Sequence, residues 1–273
     1  MIEIGMSPVL FTIGPLTIRW YGLMMALGVI VAVTVIAREA KRKGMDPDAF
    51  YSMAVYVLVA GLIGARAGHV IDRLDYYLAN PDHIFAIQEG GLAIYGGLIA
   101  GLIAGLAYAR IRHMPIGKTA DVCALGLILG QAVGRLGCVV NGDAWGAPTN
   151  LPWGVVYTNP EALIPPHLLG VSTHPYAIYE IIWDLMIFAG LLFMRTRVAT
   201  SGALFLTYAL AYAVGRFFLT MVREEGSVLW GMQQAQVISV LTIVIVVPLL
   251  VVVLMREANA GRPSDQSESV PRT

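Results

Sequence analysis

The chain has 273 residues, 57% of them hydrophobic and 13% charged, and its formal net charge is zero. Soluble domains carry about a quarter charged residues, so this composition excludes an ordinary soluble domain and leaves a polytopic membrane protein, with no basic excess for nucleic acid. The two cysteines, Cys123 and Cys138, fall in one apolar segment and exclude a disulfide framework.

In chain order, residues 1–19 lack a basic region and a small-residue cleavage site, so no cleavable signal peptide is expected. Seven segments then reach the roughly 20 apolar residues that a spanning helix needs: 20–37, 49–71, 91–109, 120–140, 176–194, 201–221 and 235–255. The pattern predicts an all-α integral membrane protein with a single seven-helix domain over 1–255. Residues 256–273 have the composition of a disordered tail. The third and fourth segments carry ladders of small residues at four-residue spacing, Gly97, Gly101 and Gly105, then Gly126, Gly130 and Gly134. Such ladders let helices pack closely and need no other role.

Orientation follows from lysine and arginine in the loops. Arg38, Lys41, Arg42, Lys43, Arg110, Arg112, Lys118, Arg195 and Arg197 fall on one side, joined by Arg256, Arg262 and Arg272 of the tail. The other side has only Arg19, Arg73 and Arg223. The N-terminus is therefore expected outside and the C-terminus in the cytoplasm. The longest connection, residues 141–175, is then external; it has no lysine or arginine and is rich in Pro, Gly and Trp, which predicts a folded outer loop.

Three arginines, Arg66, Arg135 and Arg216, lie inside spans. Each falls in the last third of a helix expected to run outward, within about 10 Å of its outer end at about 1.5 Å per residue. His69, Tyr21, Tyr95, Tyr212, His174, Tyr179 and Glu180 are expected in the same layer. A single arginine there can simply snorkel to headgroups, and a tyrosine can belong to the interfacial belt. Three arginines at one level suit a bound anion, and the anion at that depth is a lipid phosphate. Planar two-point contact explains arginine rather than lysine.

The stretch GRLGCVVNGDAWG, Gly134–Gly146, resembles the signature of the prolipoprotein diacylglyceryl transferase family, close to G-R-x-G-N-F-x-N-G-E-x-x-G. RWYGLM (Arg19–Met24), GAR (Gly64–Arg66), YGGLIAG (Tyr95–Gly101), HPYAIYE (His174–Glu180) and GRFFLTMVREE (Gly215–Glu225) extend the resemblance over nearly the whole chain. The resemblance implies transfer of the diacylglyceryl group of phosphatidylglycerol to the lipobox cysteine of a prolipoprotein carrying a signal peptide. Glycerol phosphate would be released, at the bacterial cytoplasmic membrane, with no cofactor or metal. A monomer is expected. Arg66, Arg135 and Arg216 would hold the phosphate, with Tyr21, Asn141, Gly146, His174 and Glu180 also matching the family pattern.

Four positions depart from that pattern. Tyr95 replaces the histidine of H-G-G, Cys138 the first asparagine of the signature, Asp143 its glutamate, and Thr220 an acidic residue. Tyrosine, with an ordinary pKa of about 10, is a poor base. His69 and His174 are therefore candidate substitutes, and Asp143 has a shorter reach than glutamate. Cys138 is either a small apolar helix residue or a change to the surroundings of the acceptor thiol. Two readings follow: an active transferase, or a non-catalytic relative that binds lipid or lipoprotein signal peptides.

Overall fold

The computed structural model describes residues 1–14, 16–86, 90–198, 200–223 and 226–260. Its helices are α1 (Trp20–Arg42), α2 (Pro47–Asp72), α3 (Leu74–Ala79), α4 (Ile94–Ile111), α5 (Ile116–Asn141), α6 (Tyr176–Met194), α7 (Ala203–Leu219) and α8 (Gln234–Ala260). All but the short α3 are long and apolar enough to cross a membrane, seven in total among the described residues. The protein is a polytopic, multi-pass membrane protein. Helix is the form such segments must take, because a backbone group without a partner in lipid costs several kcal/mol or about that.

The ends of the helices are written locally. Gly44 at φ 70° closes α1, and Asp46 accepts from the N–H of Asp48 at 3.0 Å ahead of Pro47, the first residue of α2. Outward-facing Leu58, Leu62 and Ile63 of α2 and Leu98, Leu102 and Ile103 of α4 present an apolar surface suited to lipid. α8 runs past the expected end of its span, so residues 256–260 are helical rather than tail, and 261–273 lie outside the described residues.

The chain packs as two compact units, residues 33–122 in one and residues 1–32 with 123 onward in the other. In the first, the glycine ladder of α4 faces α2: a methyl on Gly97 would lie 3.2 Å from the carbonyl oxygen of Gly61 and 3.3 Å from Cβ of Ala65. Buried Glu39 pairs with Arg42 at 2.5 Å, and buried Asp121 lies 3.9 Å from Nζ of Lys43. In the second unit α1 and α5 cross at Gly28 and Gly130, where a methyl on either would approach the other's carbonyl oxygen to 2.7 or 2.8 Å. Only small residues permit that approach.

Short strands occupy the connections of the second unit. β1 (Ile2–Ile4) pairs in parallel with β4 (Val155–Tyr157), and β4 pairs antiparallel with β5 (Ser172–Thr173). β2 (Val9–Ile13) and β3 (Leu16–Arg19) form a hairpin ahead of α1, and β6 (Ser227–Leu229) and β7 (Met232–Gln233) form another ahead of α8. The segment between α5 and α6 is thus a folded structure tied to the first residues of the chain. The Met1 ammonium adds a bond to the carbonyl of Pro152 at 2.7 Å.

Candidate active site

The site begins with the glycines of Gly134–Gly146, each of which solves a different steric problem. A methyl on Gly137 would sit 2.9 Å from Cα of Tyr21 and 3.0 Å from Cβ of Met24, and one on Gly134 would sit 3.2 Å from Sδ of Met25. Those two positions form the face of α5 on which α1 lies. Gly142, at φ 73°, takes the left-handed conformation that ends α5, its N–H reaching the carbonyl of Cys138 at 2.9 Å. Gly146 has no room for a side chain, since a methyl would meet Cβ of His174 at 2.6 Å, its carbonyl oxygen at 2.8 Å and that of Val222 at 2.9 Å. Ala147 donates to Val222 and accepts from His174, at 2.8 and 2.9 Å. The segments after α5, before α6 and after α7 are therefore laced together at one point.

That lacing brings Arg135 of α5 and Arg216 of α7 onto Glu180 of α6. Nε of Arg135 lies 2.8 Å from Oε2, as an ion pair rather than a well-angled hydrogen bond, and Nη2 donates to Oε1 at 3.3 Å. Arg216 Nη1 contacts Oε1 of Glu180 directly and donates to the hydroxyl of Tyr176 at 2.6 Å. That hydroxyl donates onward to Oε1 of Glu180 at 3.1 Å. Glu180 is buried, whereas the arginine side chains are 25% and 19% exposed, and Nε and Nη2 of Arg216 carry no partner among the described residues. Two guanidiniums against one carboxylate leave the cluster net positive, with donors left for a second anion.

Around it, Cys138 is buried with Sγ 3.8 Å from Nη1 of Arg135, packed with Ala144, Tyr176 and Ala177. Fully buried Thr220 returns its hydroxyl to the carbonyl of Arg216 at 2.6 Å, so the residue that replaces an acidic group caps the end of α7. Oδ1 of Asn141 and Oδ1 of Asp143 are buried without a hydrogen-bond partner among the described residues. Tyr21 sits within electrostatic reach of Cys138, Asp143 and Arg135. Nδ1 of His174 is 3.4 Å from the hydroxyl of Tyr179, which accepts from Nε1 of Trp153 at 2.8 Å. Tyr157, outside the spans, donates to the carbonyl of Val139 at 2.9 Å. Burial pushes its hydroxyl well above the ordinary tyrosine range, and the charges of Asp143 and Cys138 add to the effect.

The remaining expected residues belong to the other unit. Arg66 donates through Nε to the carbonyl of Ile84 at 2.8 Å and through Nη2 to that of His83 at 2.5 Å. Its Nη1 reaches the carbonyls of Gly90 and Gly91 at 2.7 and 2.9 Å. Four of its five N–H groups thus serve main-chain carbonyls, and the contacts it makes are those of a loop organiser, not of an open phosphate ligand. The ring of His69 lies over Gly91 and edge-on to Tyr77, 6.0 Å between ring centres. Tyr95 lies in the first turn of α4 with 41% of its surface exposed. Reading the sequence missed Tyr176, the hydroxyl between Arg216 and Glu180, and Asp184, buried one turn beyond Glu180. A signal for Asp184 was present: two carboxylates four residues apart in an otherwise apolar span.

Seven apolar spans, with two arginines of one unit meeting on a buried glutamate, define a polytopic membrane protein that carries a charged cluster among its helices. The sequence model of the prolipoprotein diacylglyceryl transferase family matches residues 8–252, and the chain belongs to that family. Similar proteins each carry the name phosphatidylglycerol–prolipoprotein diacylglyceryl transferase. The one from Clostridioides difficile is 39% identical over 88% of this chain and 92% of its own. That from Nostoc is 39% identical over 85% and 84%. That from Dehalococcoides mccartyi is 37% identical over 96% and 99%.

Proposed function

We propose that this chain moves the diacylglyceryl group of phosphatidylglycerol onto the lipobox cysteine of a prolipoprotein. The observation that carries this reading is the convergence of Arg135 and Arg216 on Glu180, with guanidinium donors to spare. The bond that breaks joins an sp3 glycerol carbon to a phosphate oxygen, and the bond that forms joins that carbon to sulfur. The electron pair of the broken bond leaves on the phosphate oxygen of glycerol phosphate. Arg135 and Arg216 hold that phosphate, fix the lipid for in-line attack and take up the charge on the departing oxygen.

The thiol must lose a proton, and a free thiol has a pKa of about 8.5, so a modest acceptor suffices. We assign the proton to Asp143, whose buried Oδ1 has no hydrogen-bond partner among the described residues. Tyr21 and Asn141 line the same end of α5 and orient the lipid. His69, Tyr95 and His174 take supporting roles in this reading. The protein acts as a monomer in the bacterial cytoplasmic membrane, its seven spans working as one domain, with the segment between α5 and α6 outside.

Purified protein incubated with phosphatidylglycerol and a lipobox peptide should produce S-diacylglyceryl peptide and glycerol phosphate in equal amounts. Asp143→Asn should abolish transfer while His69→Gln retains most of it; the reverse pattern would move the base to His69. No transfer by the parent, with transfer gained by Tyr95→His combined with Cys138→Asn, would make the chain a binding protein instead. Orientation is tested separately: a reporter that matures only in the cytoplasm should be silent at Asn159 and active after Thr273.

A further inference from the structure

Residues 223–233 join the spans that end at Val222 and begin at Gln234. Within them β6 and β7 pair Leu229 with Met232, so Trp230 and Gly231 make up the whole turn of a two-residue hairpin. Their φ angles are 48° and 75°. Positive φ at both turn positions matches the twist of the strands and is taken up readily by an asparagine–glycine pair. Tryptophan does not suit it. Among the described residues one other non-glycine residue has positive φ, His113 at 51°, and histidine enters that region far more readily than a bulky aromatic. No packing offsets the strain: Trp230 is 88% exposed, and its indole makes no hydrogen bond or ring contact among the described residues. Strain of this kind persists where it serves a contact.

The surroundings of the tip define the partner. Val228 and Leu229 just before it are exposed too, and the sequence holds no charged residue from Gly226 to Met255. A three-residue strand, at about 3.3 Å per residue, lifts the tip no more than about 10 Å from the base of the hairpin. The headgroup layer on each face of a bilayer is roughly 5–8 Å thick, so the tip stays at or close to the level of the headgroups. An indole needs an apolar bed for its ring and an acceptor for its N–H, and that layer offers both. The base of the hairpin is tied to α7. Nε2 of Gln233 donates to the carbonyl of Arg223 at 2.8 Å, and the N–H of Arg223 to that of Thr220 at 3.1 Å. The Thr220 hydroxyl in turn holds the carbonyl of Arg216. We propose that Trp230 is a bilayer anchor: its indole lies among the headgroups, and the hairpin thereby restrains the end of α7 that carries Arg216.

The test places the full chain in phospholipid nanodiscs and takes the tryptophan fluorescence that the parent has and Trp230→Asn lacks. That component should be quenched strongly by lipids brominated near the headgroup end of the acyl chain. Lipids brominated near the methyl end should quench it less, and aqueous acrylamide only weakly. Quenching by acrylamide with none by bromine overturns the anchor. So does protection from acrylamide that appears only when a lipobox peptide is added, which would give the tip to the protein substrate. Trp230→Asn completes the favoured asparagine–glycine turn, so its thermal midpoint in detergent should be no lower than the parent's. A fall would mean that protein, not lipid, holds the ring. In nanodiscs the same variant should exchange the amide hydrogens of residues 219–223 faster than the parent, and equal rates overturn the restraint on α7. Should Trp230→Asn not fold, Trp230→Gly serves in every arm.

Discussion

Arg66 gives four N–H groups to the carbonyls of residues 83, 84, 90 and 91, whereas Arg135 and Arg216 meet on the single carboxylate of Glu180. All three are arginines near the end of an apolar helix. Carbonyl oxygens are neutral, numerous and fixed by the backbone, so a guanidinium that they surround is committed to holding a loop. The Glu180 carboxylate is a single anion shared by two cations, so another anion can join it or compete with it. The kind of acceptor separates an arginine that organises a chain from one available for chemistry.

The contrast can be broken most sharply at the shared carboxylate. Arg216→Ala, or Arg135→Lys with its charge kept, should lower kcat/KM for transfer by about 10- to 100-fold or more, since a charged two-point hydrogen bond is lost. Near-parental transfer by Arg135→Lys would make that arginine an anchor only. At Arg66 the larger change should fall on stability. Arg66→Lys keeps the charge but loses the fork that reaches four part-buried carbonyls at once, so the thermal midpoint in detergent should drop while the lipid KM of the folded protein stays near the parent's. A raised KM with an unchanged midpoint would return Arg66 to the phosphate. The smallest effect belongs to Tyr157, whose hydrogen bond to Val139 should be worth about 1 kcal/mol. Its raised pKa means the protonated form stabilises the fold: that stability is complete below the unfolded value of about 10 and is lost as pH rises beyond it. Thermal midpoints of the parent should therefore fall more between pH 9 and 11 (about one unit either side of that value) than those of Tyr157→Phe.

Hydropathy located every spanning helix because each must present an unbroken apolar run to lipid. The segment 176–194 coincides with α6. By contrast, α1 extends to Arg42 beyond the expected 37, because a helix can continue through charged residues once it leaves the hydrocarbon. The pairing of β1 with β4 was not legible, since three residues at the start of the chain bond to backbone some 150 positions away and hydrogen-bonded backbone has no residue code. Arg66 was misleading for the same reason: its acceptors are carbonyls, which every residue has. Arg135, Arg216 and Glu180 were visible as charges where charge is expensive. Asp184 was equally visible, but a single carboxylate disappears in an average taken over a whole span.

The junction at Gly146 also has a consequence for how this protein can change over generations. The entry and exit of the α5–α6 connection are stapled side by side: Ala147 to His174, Pro148 to Thr173 in a bridge, and the N–H of Thr149 to the carbonyl of Ser172 at 2.8 Å. The stretch between them is also anchored from within, at β4 to β1, Trp153 to Tyr179 and Tyr157 to Val139. Insertions and deletions should therefore be tolerated only in the turns between those anchors, which leaves the helix mouths and their charges in place.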